Sequence, residues 1–160
     1  MEMTATIRNI IAVAIAMIVI GFAGIITASY VSHAATEQVG PLEKAVKTVD
    51  AAGLTVTGIS PYDVYGSDYQ VAAIVCPGES RSSVAEKFNV DESELQGLPR
   101  RPIKEGYNYM LVGSQLGEIR TERLDRDLVD LCQVATQPFQ AQAMIPLVKS
   151  PAGAWTIAAQ

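Results

Sequence analysis

Histidine occurs once in this chain, at His33, and cysteine twice, at Cys76 and Cys132. That scarcity removes the commonest catalytic and metal-binding sets before any motif is sought. One histidine and two cysteines, with no C-x-x-C and no H-x-x-x-H spacing, do not furnish a usual zinc site. A serine nucleophile needs a base beside it, most often a histidine held by a carboxylate, and His33 lies just past a long apolar run. No Gly-rich phosphate loop and no EF-hand pattern occurs, so no cofactor and no metal is expected. Basic residues are also sparse. The net charge is −5, and the densest basic cluster, Arg100, Arg101 and Lys104, reads as a solvated loop, which argues against a nucleic-acid partner.

What the chain has in excess is apolar residues, 49% of the total, and many sit near the N-terminus. From Ile10 to Val31 the sequence IIAVAIAMIVIGFAGIITASYV carries no charge. As a helix it would span about 33 Å, close to the roughly 30 Å hydrocarbon core of a bilayer. The competing reading is a signal peptide cleaved near Ser32-His33-Ala34-Ala35, but signal h-regions run only about 7–15 residues. The expectation is therefore a short tail over 1–9 and an uncleaved transmembrane helix over 10–31. Ala12, Ala16, Gly24 and Ala28 fall on one i+4 ridge, small enough to pack against another membrane helix or to face lipid. Flanking charges do not decide the orientation. The two cysteines favour one Cys76–Cys132 disulfide in a domain outside the cell, with the N-terminus cytoplasmic and the chain in the plasma membrane. Two free buried thiols are the alternative.

After a linker and helix over 32–53, residues 54–160 read as an α/β domain of the α+β kind. Pro41–Ala52 places Leu42, Ala45, Val46 and Val49 at helical spacing, with Gly53 to end it. Strands are expected over 54–59, 69–76, 107–112 and 118–124, and helices over 80–89 and 91–96. Asp91, Glu92 and Glu94 suit the start of the latter, where acidic groups favour the helix dipole. Leu124, Leu128 and Leu131 suggest a helical turn over 125–131, with Arg123 and Asp127 paired across i,i+4. A hairpin closes the chain, AMIPLV and AWTIAA either side of KSPAG, and Pro146 suggests that its first strand lies at a sheet edge. Tyr62, Tyr65, Tyr69, Tyr107 and Tyr109 form two local groups that read as strand packing.

One junction invites a chemical reading. Gly78-Glu79-Ser80-Arg81-Ser82 lies between strand and helix and is one residue short of the G-x-S-x-G of a nucleophile elbow. The closing glycine is replaced by Ser82, and no histidine is near in sequence. Gly78 instead relaxes the backbone where strand becomes helix, and Ser80 is placed to cap the helix, worth about 1 kcal/mol.

From Val75 to Val112 the order VCPGESRSSVAEKFNVDESELQGLPRRPIKEGYNYMLV resembles a LysM domain. Gly78-Glu79-Ser80 stands at the first turn, Ser83 to Phe88 forms the helix, Asn89-Val90 and Glu94-Leu95 follow in register, and Ile103 to Gly106 precedes the last strand. Glu79 replaces the usual Asp, Tyr107 the usual Gln, and the Asn after the second helix is missing. The resemblance, confined to 75–112, implies a β-α-α-β unit holding glycan such as peptidoglycan at Gly78, Glu79, Ser80, Pro102, Ile103 and Lys104.

Two functions are therefore expected ahead of a third. The first is a non-enzymatic single-pass accessory or assembly subunit, partnered by the bilayer and by subunits of a larger membrane complex. Its layout is similar to small accessory subunits of actinobacterial respiratory supercomplexes, an analogy carried by no motif. The second is a membrane-anchored peptidoglycan binder, and the third, minor, is a serine hydrolase using Ser80.

Overall fold

The structure, a computed structural model, describes residues 39–133 and 137–158. The expected tail, the transmembrane helix over 10–31 with its ridge of Ala12, Ala16, Gly24 and Ala28, and His33 all lie outside the described residues. Among the described residues no helix is long and apolar enough to cross a membrane.

Helix α1, Pro41–Ala51, opens with proline at its first position and buries Leu42 and Val46, with Ala45 and Val49 packed alongside. Strand β1 (Val56–Ile59) and the short helix α2 (Pro61–Tyr65) lead to β2 (Tyr69–Val75). Helix α3 (Arg81–Phe88) and a single 3-10 turn (Glu92–Leu95) then cross to β3 (Tyr107–Ser114), which returns through a tight turn to β4 (Ile119–Asp125). Four shorter strands complete the domain: β5 (Val129–Asp130), β6 (Phe139–Gln140), β7 (Ile145–Lys149) and β8 (Trp155–Ile157). Two four-stranded sheets result, in the orders β1-β7-β8-β5 and β4-β3-β2-β6. Every pairing is antiparallel except β5 with β8.

Both faces of the second sheet contribute core residues, which is why YQVAAIV and YNYMLV read as nearly continuous apolar runs. Successive side chains of a strand point to opposite faces. Ala72, Ile74, Met110 and Val112 join α1 and the first sheet, with Leu147 and Trp155, in one core. Ala73, Val75 and Leu111 meet Val84, Ala85, Leu95, Leu98 and Ile103 from α3 and its following loop in another. Cys76 and Cys132 are joined by the expected disulfide, which ties the end of β2 in one sheet to the turn after β5 in the other.

Three local expectations are corrected. Residues 125–131 do not form a helical turn: β4 runs to Asp125 and β5 follows after a turn. The leucine spacing suits a helix, but Asp125 accepts the N–H of Asp127 at 2.9 Å and Trp155 donates to the Leu128 carbonyl at 2.8 Å, so strand pairing prevails. Arg126 pairs with Asp130 here, at 2.9 Å, and Arg123 stands over the Tyr107 ring. Pro146 is not on an edge strand, since β7 lies between β1 and β8. Its carbonyl accepts from Ala158, so its nitrogen also faces the β8 side, at a level where β8 has ended and no strand N–H is missed. Finally, the segment after Asp91 is a 3-10 turn, with the Asp91 carboxylate accepting from the Ser93 N–H at 2.7 Å.

Candidate functional site

The β2–α3 junction and the loop before β3 lie side by side. Gly78 has φ +86, the left-handed region that an L side chain resists, and this turns the chain after Pro77. Ser80 then caps α3: its hydroxyl accepts the Ser83 N–H at 3.3 Å, and the Ser83 hydroxyl accepts the Ser80 N–H at 2.8 Å. The Glu79 carboxylate accepts the Cys76 N–H at 2.8 Å and pairs with Lys87 at 3.0 Å. Glu79 thus braces the turn from both ends.

Across from it, the Gly78 N–H donates to the Ile103 carbonyl at 3.0 Å and the Ile103 N–H to the Glu79 carbonyl at 2.8 Å. The Arg81 N–H reaches Pro99 at 3.1 Å, and the Arg81 guanidinium donates to the carbonyls of Gln96 and Leu98. Gly78, Glu79, Ser80 and Ile103 are thereby gathered into one hydrogen-bonded surface. Ile103 is buried in the core, whereas Pro102 and Lys104 flank it exposed. The Gly78 and Ile103 N–H groups are satisfied within this pair of loops. Around them Ser82, Arg100, Arg101, Pro102 and Lys104 are exposed and Ser80 is partly so. The Ser80 hydroxyl lies 3.0 Å from that of Ser82 and 3.4 Å from that of Ser83, a capping arrangement. Among the described residues no group of three or more His, Cys, Asp and Glu could hold a metal ion.

The other end of the same unit is open. Helix α3 stops at Phe88, where Asn89 takes a left-handed conformation with φ 53, and the chain turns away before covering the sheet. A cleft of about 520 Å³ remains, floored by Val71, Leu111, Gly113 and Ile119 and walled by Phe88 and Val90. Val71 is 49% exposed although β2 is an interior strand. Sequence reasoning missed this cleft, because Val71 and Ile119 carry the ordinary apolar signature of strands. Its one signal was the short span of the helical pattern after Ser80.

A second feature also escaped it. Glu122 sits at 5% exposure on the core face of β4. Its carboxylate accepts the N–H groups of Leu42 at 3.1 Å and Glu43 at 2.9 Å, and the Tyr65 hydroxyl at 2.6 Å. Gly40, the residue before α1, offers no side-chain cap, so Glu122 caps that helix from across the core. Burial, and then the Glu122 charge, push the Tyr65 hydroxyl well above the usual tyrosine range. No family model, no curated protein and no solved structure matches this chain.

Proposed function

We propose that the chain is a non-enzymatic single-pass membrane protein, an accessory or assembly subunit of a larger membrane complex, with the domain over 39–158 outside the cell. The observation that carries this reading is the open cleft on the second sheet, where an interior strand leaves Val71 half exposed. Apolar recesses of this size are ordinarily filled by a ligand or partner. The polar groups with chemical potential are meanwhile engaged in holding the fold: Ser80 caps α3, Glu79 braces its turn and Glu122 caps α1. The disulfide supports an oxidising compartment. The test is recovery of a C-terminally tagged chain from gently solubilised membranes, with mass spectrometry of what accompanies it. Companion subunits in stoichiometric amount are expected, and recovery of the protein alone would sink the reading.

One observation favours a second reading, a peptidoglycan binder. The segment β2–α3–3-10–β3, with its outer strands antiparallel, has the order that the LysM resemblance implies, and it brings Gly78, Glu79 and Ser80 beside Ile103. On this reading glycan lies across Ser80, Pro102 and Lys104. Sedimentation with isolated cell wall tests it: the exposed change Lys104→Glu should weaken binding several-fold, and wild-type protein left in the supernatant would discard it.

A further inference from the structure

The two sheets have four edges, and three of them are guarded against pairing with another chain. Natural edge strands are blunted by charge, proline, bulges or shortness. Strand β4 carries exposed Arg120, Arg123 and Asp125. Strand β5 has two residues, with Asp130 held by Arg126, and β6 has two residues beside Pro138. Strand β1 differs. Leu54-Thr55-Val56-Thr57-Gly58-Ile59 contains no charge and no proline, and its pairing with β7 runs without a bulge. Leu54 is 50% exposed, Val56 63% and the adjacent Met144 61%.

The free hydrogen-bonding groups of this edge can be assigned. Lys149 donates to the Thr55 carbonyl at 2.8 Å, so Thr55, Thr57 and Ile59 face β7 and the alternate residues face outward. Val56 and Gly58 therefore direct their N–H and C=O groups away from the sheet. Among the described residues β1 has no second hydrogen-bonded neighbour.

We infer that β1 is a homodimerisation edge, covered by β1 of a second copy running antiparallel about a two-fold axis at Thr57. Antiparallel self-pairing is the closed, isologous arrangement that two identical edges allow. With the axis at Thr57, Val56 of each copy stands opposite Gly58 of the other, so both outward residues exchange two backbone hydrogen bonds. The side chains also fit this register. Met144 closes over Gly58, its methyl carbon 2.6 Å from the place a Gly58 Cβ would take, so the partner's Val56 meets the exposed Met144 side chain, apolar against apolar. No charge meets its like across the axis, a contact that would oppose pairing.

The experiment is native mass spectrometry of the full chain in non-ionic detergent, beside Val56→Lys, which guards the edge. Wild type is expected at the mass of two chains and Val56→Lys at one, with unchanged thermal midpoints. The register is checked separately by mixing Val56→Cys with Gly58→Cys under copper phenanthroline. The mixture should crosslink at least ten-fold faster than Val56→Cys alone. A one-chain mass for wild type, a two-chain mass for Val56→Lys, or equal crosslinking by Val56→Cys alone would each overturn the inference.

Discussion

Glu122 shows how one side chain can hold an element distant in sequence. The first turn of a helix leaves backbone N–H groups without partners, and Gly40 supplies no side chain to meet them. Glu122, 80 residues from Leu42, supplies the acceptor. Removing it by Glu122→Ala would leave two helix N–H groups and the Tyr65 hydroxyl without an acceptor in a closed core. A loss of about 3–4 kcal/mol is expected by urea unfolding. Gly40→Ala should act in the same direction, because a Cβ there would fall 2.1 Å from the Glu122 carboxyl carbon. Tyr65→Phe leaves Glu122 with its backbone partners and should cost only about 1 kcal/mol. The tyrosine also predicts a pH dependence. Burial and the neighbouring carboxylate raise its ionisation in the folded state, so its contribution is fully present below about pH 10, where the unfolded chain also keeps the proton. It is lost as pH rises further and only the unfolded state ionises. The thermal midpoint of the wild type should therefore fall steeply above pH 10, and that of Tyr65→Phe less steeply. A residual slope is expected from Tyr109, raised by its own burial.

At the scale of elements, what was legible depended on how local the deciding interaction is. Helix α1 follows from a periodic apolar face with proline at its start and glycine after its end, and α3 from Ser80 at its cap. Strands β2 and β3 follow from apolar runs bounded by turns. The failures share one cause. Leucine spacing over 124–131 was overruled by strand contacts with Asn108 and Trp155, and the interior place of β7 depends on where β8 happens to end. Glu122 reads in sequence as a surface charge among Arg120 and Arg123; only its position two residues from the buried Leu124, on the same face, hinted otherwise. The disulfide was legible from an isolated cysteine pair, though the join it makes between the two sheets was not. That join yields a further prediction. Closing a loop with a sequence separation of 56 contributes about 4 kcal/mol in the chain-entropy account. Cys76→Ser paired with Cys132→Ser should lower stability by about that much in denaturant titration. Because the disulfide joins one sheet to the other, the two sheets should loosen from one another first, read as earlier hydrogen exchange at β5 and β8 than at β2 and β3.

For the whole molecule, the proposed role as a subunit separates into two contributions that can be removed independently. The expected membrane helix would bring its small-residue ridge to the complex, and the domain its cleft. Gly24→Leu places a bulky side chain on that ridge. Gly113→Leu fills the cleft from its floor, where an added Cβ meets nothing within 4 Å. If both surfaces contact the complex, each substitution alone should lower recovery of the companion subunits, and, where the two contacts are independent, the two together should lower it by the product of the separate factors, because independent sites add in free energy. If only the anchor binds, Gly113→Leu should leave recovery unchanged, and the cleft then belongs to a ligand outside the complex. If only the domain binds, Gly24→Leu should be silent. A wall binder responds to neither substitution but loses sedimentation with cell wall on Lys104→Glu. Quantitative mass spectrometry of the four chains (wild type, two single variants and the double) therefore distinguishes an anchor that merely tethers from one that assembles. It does so without first knowing which complex is involved.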